Sequence, residues 1–499
     1  MPGTIKNNIS LIHILQVVVI LAIPLFPCFS ELGKLPIRIW DEGRQAHNAY
    51  EMFQSRQFWV PTFDGIPDTF GTKPAVLIWM QVWSMILFGV NEFAIRFPSA
   101  VCTSLLSIGM MLFAWKYFKS YWIAILCGIL LLTSEALIRT HVARTGDYDA
   151  PLGCFTGLGA LTYFIFLDNQ KRVFLYSTFL FFALAVLMKG TAGLLFFPSL
   201  FIYTLTQKKL TFLLKDKHTY LGILLFLILV VGYYIIRNEA QPGYWDLVVE
   251  SEWKSMYLKP AQGHDADFLF YISNGVNQWF RYYWYFVLAG LISYFLIEDI
   301  KVKKIILFSF IILFGFLLII SLSATKLFWY DAPAYIFVVL ICAGFFYYLN
   351  QLWEKRQKSS VMKPALLILM VLGFGVFGGV KLMPRIYHSD EEYQEKYFYT
   401  MATYLQMANR EQLNLTGYHF LSGGGYAPHH SFYLKQMQNR GQRVGTITYD
   451  ELQVNDSVML FETNLQDLML NKFHATLLRH ENDIFAYRLD SLKAHDTEK

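Results

Sequence analysis

The sequence predicts a mainly α-helical, polytopic membrane protein with a small α/β unit at its C-terminal end. Three observations predict it. Of 499 residues, 55% are apolar and only 16% are charged, which leaves too little polar surface for a water-soluble globule of this size. Apolar runs recur up to about residue 382 at the ~20-residue length that a helix needs to cross the hydrocarbon core. Beyond residue 382 the runs stop, and amphipathic and alternating patterns replace them.

Read in order, spans are expected at 10–29, 97–115, 121–138, 150–167, 173–188, 191–206, 218–236, 282–297, 304–322, 333–350 and 364–382, about eleven in all. The first has a basic–apolar look but no small-residue cleavage site, so a retained anchor is expected. Residues 30–96 form a polar first outer loop. Within it Ala46, Ala49, Tyr50 and Phe53 fall at helical spacing, which predicts a helix lying in the interface. Pro74–Gly89 is apolar but short, and it decides the topology. If it does not span, the loops carrying Lys116/Lys119, Lys171/Arg172, Lys208–Lys217, Lys301–Lys304 and Lys355–Lys363 all face the cytoplasm, as the positive-inside rule asks. It is therefore placed as an interfacial or re-entrant helix, although an outward N-terminus with Pro74–Gly89 spanning fits the charges equally well. Four polar segments then share the outer face: 30–96, 139–149, 237–281 and 323–332. Residues 383–499 follow there as an α/β unit, with an amphipathic helix over Ser389–Arg410 and strands at Ser457–Glu462 and Asp483–Leu489.

The net charge of +5 reflects cytoplasmic loops and gives no reason to expect nucleic acid. Cys28, Cys102, Cys127, Cys154 and Cys342 lie in or beside apolar segments with no CxxC pair, so neither a disulfide nor a thiol metal site is expected. The span interiors are nearly free of the paired midplane charges that a transporter needs.

Candidate chemistry gathers on the outer face. Asp41 and Glu42 follow the first span directly. They read either as caps at the positive N-terminal end of the helix behind them or as a site carboxylate whose burial near hydrocarbon raises its pKa toward that of a general base. The stretch Arg139–Asp149 packs Arg144, Asp147 and Asp149 between two spans, where polar groups are seldom idle. Asp147-Tyr148-Asp149 also matches a short DxD metal pattern, set against salt bridging and hydrogen bonding by the same residues; no metal site is assigned. Lys73, Lys189, Lys254 and Lys326 all fall at the outer boundary. Lysines there can simply snorkel, but four of them beside acidic groups suggest an anion such as a lipid phosphate. His264 is as readily structural as functional.

These residues, in this order, resemble the polyprenyl-phosphate-dependent GT-C glycosyltransferases (glycosyltransferase family 39-like), specifically the lipid A aminoarabinose transferases and protein O-mannosyltransferases. The resemblance rests on Asp41-Glu42-x-Arg44, Asp64-Gly65-Ile66-Pro67, Lys73-Pro74, Trp79 and Gly89–Ala100. It continues through Ala143-Arg144-Thr145-Gly146-x-x-Asp149, Lys189-Gly190, His264 and Thr325-Lys326-x-x-Trp329-Tyr330-x-x-Pro333. It implies a GT-C fold of 11–13 spans with interfacial helices in the first outer loop. It also implies an N-in topology in a bacterial inner membrane, with an exoplasmic site and C-terminal unit.

Carried over residue by residue, Asp41 resembles the base or acceptor-orienting carboxylate, Asp149 a second site carboxylate, and Glu42 a supporting acid grouped with them. Lys73, Lys189, Lys254, Lys326 and Tyr330 resemble binders of the donor phosphate. Arg44, Arg144, Asp147, His264 and Trp329 are further substrate-contact candidates. The implied partners are a polyprenyl-phosphate sugar donor, a glycolipid or protein acceptor and membrane lipids, acting on a monomer without a cofactor. Two departures stand out: Thr72 occupies a position where the family often has an acid, and Lys254 one where the aminoarabinose transferases have arginine, which loses a bidentate phosphate contact.

Overall fold

The computed structural model describes residues 11–138, 141–255, 266–275, 283–387, 393–423, 426–481 and 483–493. Among these, eight helical stretches are long and apolar enough to cross a membrane: Leu11–Phe29, Glu92–Phe118, Asp149–Asn169, Arg172–Leu194, Lys217–Ala240, Ile300–Leu322, Ala332–Arg356 and Ala365–Tyr387. They correspond to eight of the eleven expected spans. The other three are shorter helices, Tyr121–Leu132, Phe197–Thr206 and Trp284–Leu296, about 15–20 Å at 1.5 Å per residue against a core of ~30 Å. Among the described residues, eight of the eleven expected spans thus reach crossing length. The first of the three stops where Thr133 and Ser134 turn their hydroxyls back onto the carbonyls of Ile129 (2.7 Å) and Leu131 (2.8 Å), which competes with helix continuation. Val76–Phe88, 13 residues long, is likewise too short to cross.

The helices run between two chemically different ends. At one, Lys301 meets Asp168 (3.2 Å), Lys119 approaches Asp299 (3.9 Å) and Arg172 pairs with Asp216, so loops distant in sequence converge as one basic surface. The helix Asp149–Asn169, 21 residues long, carries Asp168 at that end and Asp149 at the other in an element that spans ~30 Å. Asp149 therefore sits at the opposite end of the bundle from the basic loops.

The C-terminal unit contains the helices Tyr393–Arg410, Pro428–Asn439 and Thr463–Lys472. Its five strands are Tyr418–Ser422, Gly445–Thr448, Ser457–Leu460, Phe473–Glu481 and Ile484–Leu492. Numbered β3 to β7 after the small hairpin β1–β2 of the first loop (Thr62–Phe63 and Ile66–Pro67), they form a sheet in the order β4-β3-β5-β7-β6. β3 pairs in parallel with β4 and β5, and β7 pairs antiparallel with β5 and β6. One apolar core lies within the unit, around Leu421, Val458, Leu460, Met469 and Leu489. A second is shared with the first outer loop: Ile37, Ala46, Met52, Val82 and Ile95 pack with Met401, Leu405, Phe432 and Met437.

Candidate active site

Asp41 opens the helix Asp41–Ser55. The residue before it, Trp40, has φ = 69°, a left-handed backbone that a bulky side chain adopts only when its surroundings force it. No side chain caps this helix at Trp40. Glu42 turns inward and is 1% exposed. Its Oε1 accepts from Arg96 Nε (2.7 Å) and the Gly146 amide (2.8 Å), and its Oε2 from Arg96 Nη2 (3.0 Å) and the Arg38 amide (2.8 Å). Arg96, 2% exposed, also donates to the carbonyls of Leu32, Leu35 and Pro36. Glu42, grouped above with the catalytic acids, is thereby corrected to a buried anchor. Both its oxygens are spent on tying the first loop to the 141–149 turn.

That anchor holds two acids in position. An Asp41 oxygen, a His141 nitrogen and an Asp147 oxygen all lie within 4.8 Å of one another. His141 Nδ1 is 3.2 Å from Asp147 Oδ2, and its ring stacks on Trp329 at 3.8 Å between centroids. Asp41 lines an open recess: its side chain is exposed, yet protein crowds it closely. Loss of hydration raises its pKa above the usual carboxylate value, as does the charge of Asp147, against the opposing pull of His141, Lys189 and Lys73. Burial alone would lower the His141 imidazole, but Asp147, with Asp41 and Asp149, carries it upward. The same contact outweighs burial at Asp147 and holds that carboxyl low.

Next to this triangle, Lys189 Nζ donates to both oxygens of Asp149, at 2.6 and 2.7 Å, and lies 4.7 Å above the Tyr330 ring. Each partner ends a helix with the favourable polarity: Asp149 at the N-terminus of one, Lys189 at the C-terminus of another. Lys73 Nζ is 3.1 Å from Glu252 Oε1, and Glu252, fully buried, also accepts from the Thr191 amide at 3.1 Å. Gly190 follows Lys189 with φ = 58°, and a Cβ there would overlap the Glu252 carboxylate. Only glycine satisfies both the backbone and the space.

The structure thus brings Asp41, Asp147, Asp149, Lys73, Lys189, Trp329 and Tyr330 into one recess. Others of the expected set are engaged elsewhere. Arg44 is bidentate to Asp68 (2.8 and 2.5 Å) and donates to the Tyr426 hydroxyl (2.7 Å). Arg144 donates to the carbonyls of Pro27 (2.9 Å) and Ser30 (2.7 Å). In this structure both guanidinium groups, expected as substrate contacts, hold protein partners. Lys326 stays within its own turn, bonded to the Ser323 carbonyl at 2.8 Å. The Lys254 side chain and His264 lie outside the described residues. Thr72 is buried, its hydroxyl accepting from Ser251 at 2.7 Å. Two residues, His141 and Glu252, were not singled out from sequence. The available signals were the position of His141 inside the Arg139–Asp149 cluster and the placement of Glu252 two residues before Lys254.

Residues 72–235 match the family model described as dolichyl-phosphate-mannose-protein mannosyltransferase. A protein of Aquifex aeolicus named only as uncharacterized is 25% identical over 356 residues, 70% of this chain and 67% of that one. A protein of Aeromonas hydrophila, named undecaprenyl phosphate-alpha-4-amino-4-deoxy-L-arabinose arabinosyl transferase, is 27% identical over 264 residues, 51% of this chain and 47% of that one. The match thus spans about half the length of that named relative. In three dimensions the chain is similar to ArnT of Cupriavidus metallidurans bound to undecaprenyl phosphate, with TM-score 0.67 at 15% identity, covering 94% of this chain and 97% of that one. It is also similar to an oligosaccharyltransferase of Archaeoglobus fulgidus, with TM-score 0.53 at 11% identity, covering 96% and 74%.

Proposed function

We propose, from the kinship of this chain with the GT-C glycosyltransferases of the aminoarabinose transferase and protein mannosyltransferase family, that it transfers a sugar from a polyprenyl phosphate to a hydroxyl or phosphate acceptor, with inversion, at the outer face of a bacterial cytoplasmic membrane. The observation that carries this reading is the convergence of Asp41 with Lys73, Lys189 and Tyr330 at the end of the bundle opposite the basic loops.

In this reaction the acceptor oxygen attacks the anomeric carbon while the bond from that carbon to the phosphate oxygen breaks. Asp41 takes the proton of a hydroxyl acceptor, or orients an acceptor that is already ionised. The electron pair leaves on the polyprenyl phosphate, a stable anion that needs no general acid. Lys73 and Lys189 stabilise the charge developing there. Because each already has a carboxylate partner, Glu252 and Asp149, an entering phosphate exchanges with or joins these acids, which keeps the lysines charged and aimed. The triangle of Asp41, His141 and Asp147 has the ligand types to hold a divalent cation, but the proposed reaction needs none, so turnover should survive EDTA.

A glycolipid acceptor is the first reading, implied by the resemblance to the lipid A aminoarabinose transferases; a protein acceptor is the second, supported by the match over 72–235. The test is mass spectrometry of lipid A and of exported-protein glycans from cells with the wild-type gene, without it, or carrying Asp41→Asn or Lys73→Ala. Turnover should fall roughly 10²–10³-fold in the lysine variant. An unchanged envelope in both fractions on deletion, or near-normal turnover of Lys73→Ala at normal membrane abundance, would remove the assignment.

A further inference from the structure

The helix Lys217–Ala240 carries Arg237 in its last turn. Asp216, just before the start of that helix, pairs with Arg172 at the basic end of the bundle, so Arg237 lies at the end that holds the recess. Its side chain is 1% exposed, and none of its three guanidinium nitrogens makes a hydrogen bond among the described residues. Its company is aromatic. The Tyr244 ring centre lies 4.5 Å from Cζ, and Tyr233, one helical turn back on the same face, stands beside it. The charge of Asp68 also reaches Arg237, but that carboxylate is already engaged by Arg44 and Asn48.

Both tyrosines hold the segment that carries Lys73. The Tyr233 hydroxyl accepts from the Ala75 amide at 2.7 Å, and the Tyr244 hydroxyl donates to the Thr72 carbonyl at 2.8 Å. These two bonds bracket Lys73-Pro74 from either side, and Lys73 then reaches Glu252 at 3.1 Å. A guanidinium enclosed in protein without a hydrogen-bonded partner is costly, and an apolar side chain of similar volume would fill the same space without that cost. What the arginine adds is charge. Set against the Tyr244 ring, it draws electron density from the phenol, which makes the hydroxyl a stronger donor to the Thr72 carbonyl.

We propose that Arg237 is a positioning residue for Lys73: through Tyr244 and Tyr233 it fixes the Thr72–Ala75 segment so that the lysine is aimed at the phosphate of the lipid donor. This rests on the sugar-transfer reading in one respect, that the donor phosphate is what Lys73 meets. Arg237 acts without touching the reacting atoms. A purely structural arginine would stabilise the fold and serve every function of the chain alike, whereas a positioning residue is retained at a cost to stability and acts on one partner.

The test uses the full chain in phosphatidylcholine nanodiscs with undecaprenyl phosphate as the probe. Its binding is titrated by native mass spectrometry, and folding is followed by the thermal midpoint. Arg237→Met should weaken binding about tenfold, the scale of a buried cation–π contact, while the midpoint holds or rises because a buried charge is removed. Arg237→Lys, which keeps the charge, should recover most of the binding. Tyr244→Phe, which keeps the ring and loses the bond to Thr72, should reproduce the loss. Ile236→Ala, exposed on the same helix, should bind like the wild type. Comparison with Lys73→Ala separates the readings: if Arg237 acts through Lys73, adding Arg237→Met to that variant costs nothing further. Wild-type binding by Arg237→Met, the same tenfold loss on top of Lys73→Ala, or a lowered midpoint with an equal loss in Arg237→Lys overturns the inference and leaves the transfer reading standing. Wild-type binding by Lys73→Ala removes the phosphate assignment itself.

Discussion

Asp41 and Glu42 are adjacent, yet a helix turns successive side chains by about 100°, and here that rotation separates a carboxylate in an open recess from one fully enclosed by donors. The environment of Asp41 fixes a testable pH dependence. A base is active when deprotonated, and crowding by protein, together with Asp147, raises its pKa. The acid limb of kcat/KM should therefore lie above the ordinary carboxylate value of ~3.9, with activity lost as pH falls through it. His141 pulls the other way, so His141→Gln should move the limb to higher pH. A limb that stays in place would separate His141 from Asp41 electrostatically. Glu252 was missed from sequence for a physical reason: its value lies in meeting Lys73 and the Thr191 amide, partners roughly 180 and 60 residues away, and no local pattern encodes such a meeting.

At the scale of elements, the helix Asp41–Ser55 is held from both sides. Its Gly43 packs so closely on the C-terminal helix Pro428–Asn439 that a Cβ would lie 2.6 Å from the His429 amide nitrogen and 3.0 Å from the Arg38 carbonyl. Both are backbone atoms, which cannot swing aside. Gly43→Ala should cost about 1–3 kcal/mol by overpacking, read as a lower thermal midpoint in detergent. Further along, Glu51 accepts from Thr62 (2.6 Å) and the Gly65 amide (3.1 Å) and pairs with His47 (3.3 Å) and Lys435 (3.2 Å). Burial would raise this carboxyl, but the partners bring it down to about 2. A carboxyl with a depressed folded pKa contributes stability above its unfolded value, near 4.3. That contribution fades as pH falls from there toward 2. Glu51→Gln should flatten the acid-side loss of the midpoint over that window, and a variant with the wild-type slope would contradict the assignment.

For the whole molecule, the C-terminal unit is fastened to the first outer loop. The Tyr433 hydroxyl donates to Glu92 (2.9 Å) and accepts from the Ile37 amide (2.8 Å), and Arg410 pairs with Glu92 (3.0 Å). With the shared apolar core, this makes the unit part of the scaffold that fixes Asp41. A chain ending at residue 392 exposes the faces around Ala46, Met52 and Val82 and should show strongly reduced membrane abundance. Recovery of a stable, fully active truncated protein would show that the shared core is dispensable.

Composition and apolar run length by themselves determined the membrane class, the eight long helices, the polar first loop and the α/β character after residue 382, because these depend on burial patterns that repeat over neighbouring residues. Apolarity over 121–138 does not reveal that Thr133 and Ser134 end a helix at Leu132. Pattern reading also passes over β3, β4 and β6, the first two only five and four residues long and the third largely exposed at the sheet edge, where periodicity is weakest. Only the tertiary structure decided which charges face the recess. Asp41, Asp147, Asp149 and Lys189 gather there, whereas Glu42, Arg44 and Arg144 are spent on holding loops. The physical reason is that a charged side chain is defined by the partner that compensates it, and in this chain those partners are supplied by segments far apart in sequence.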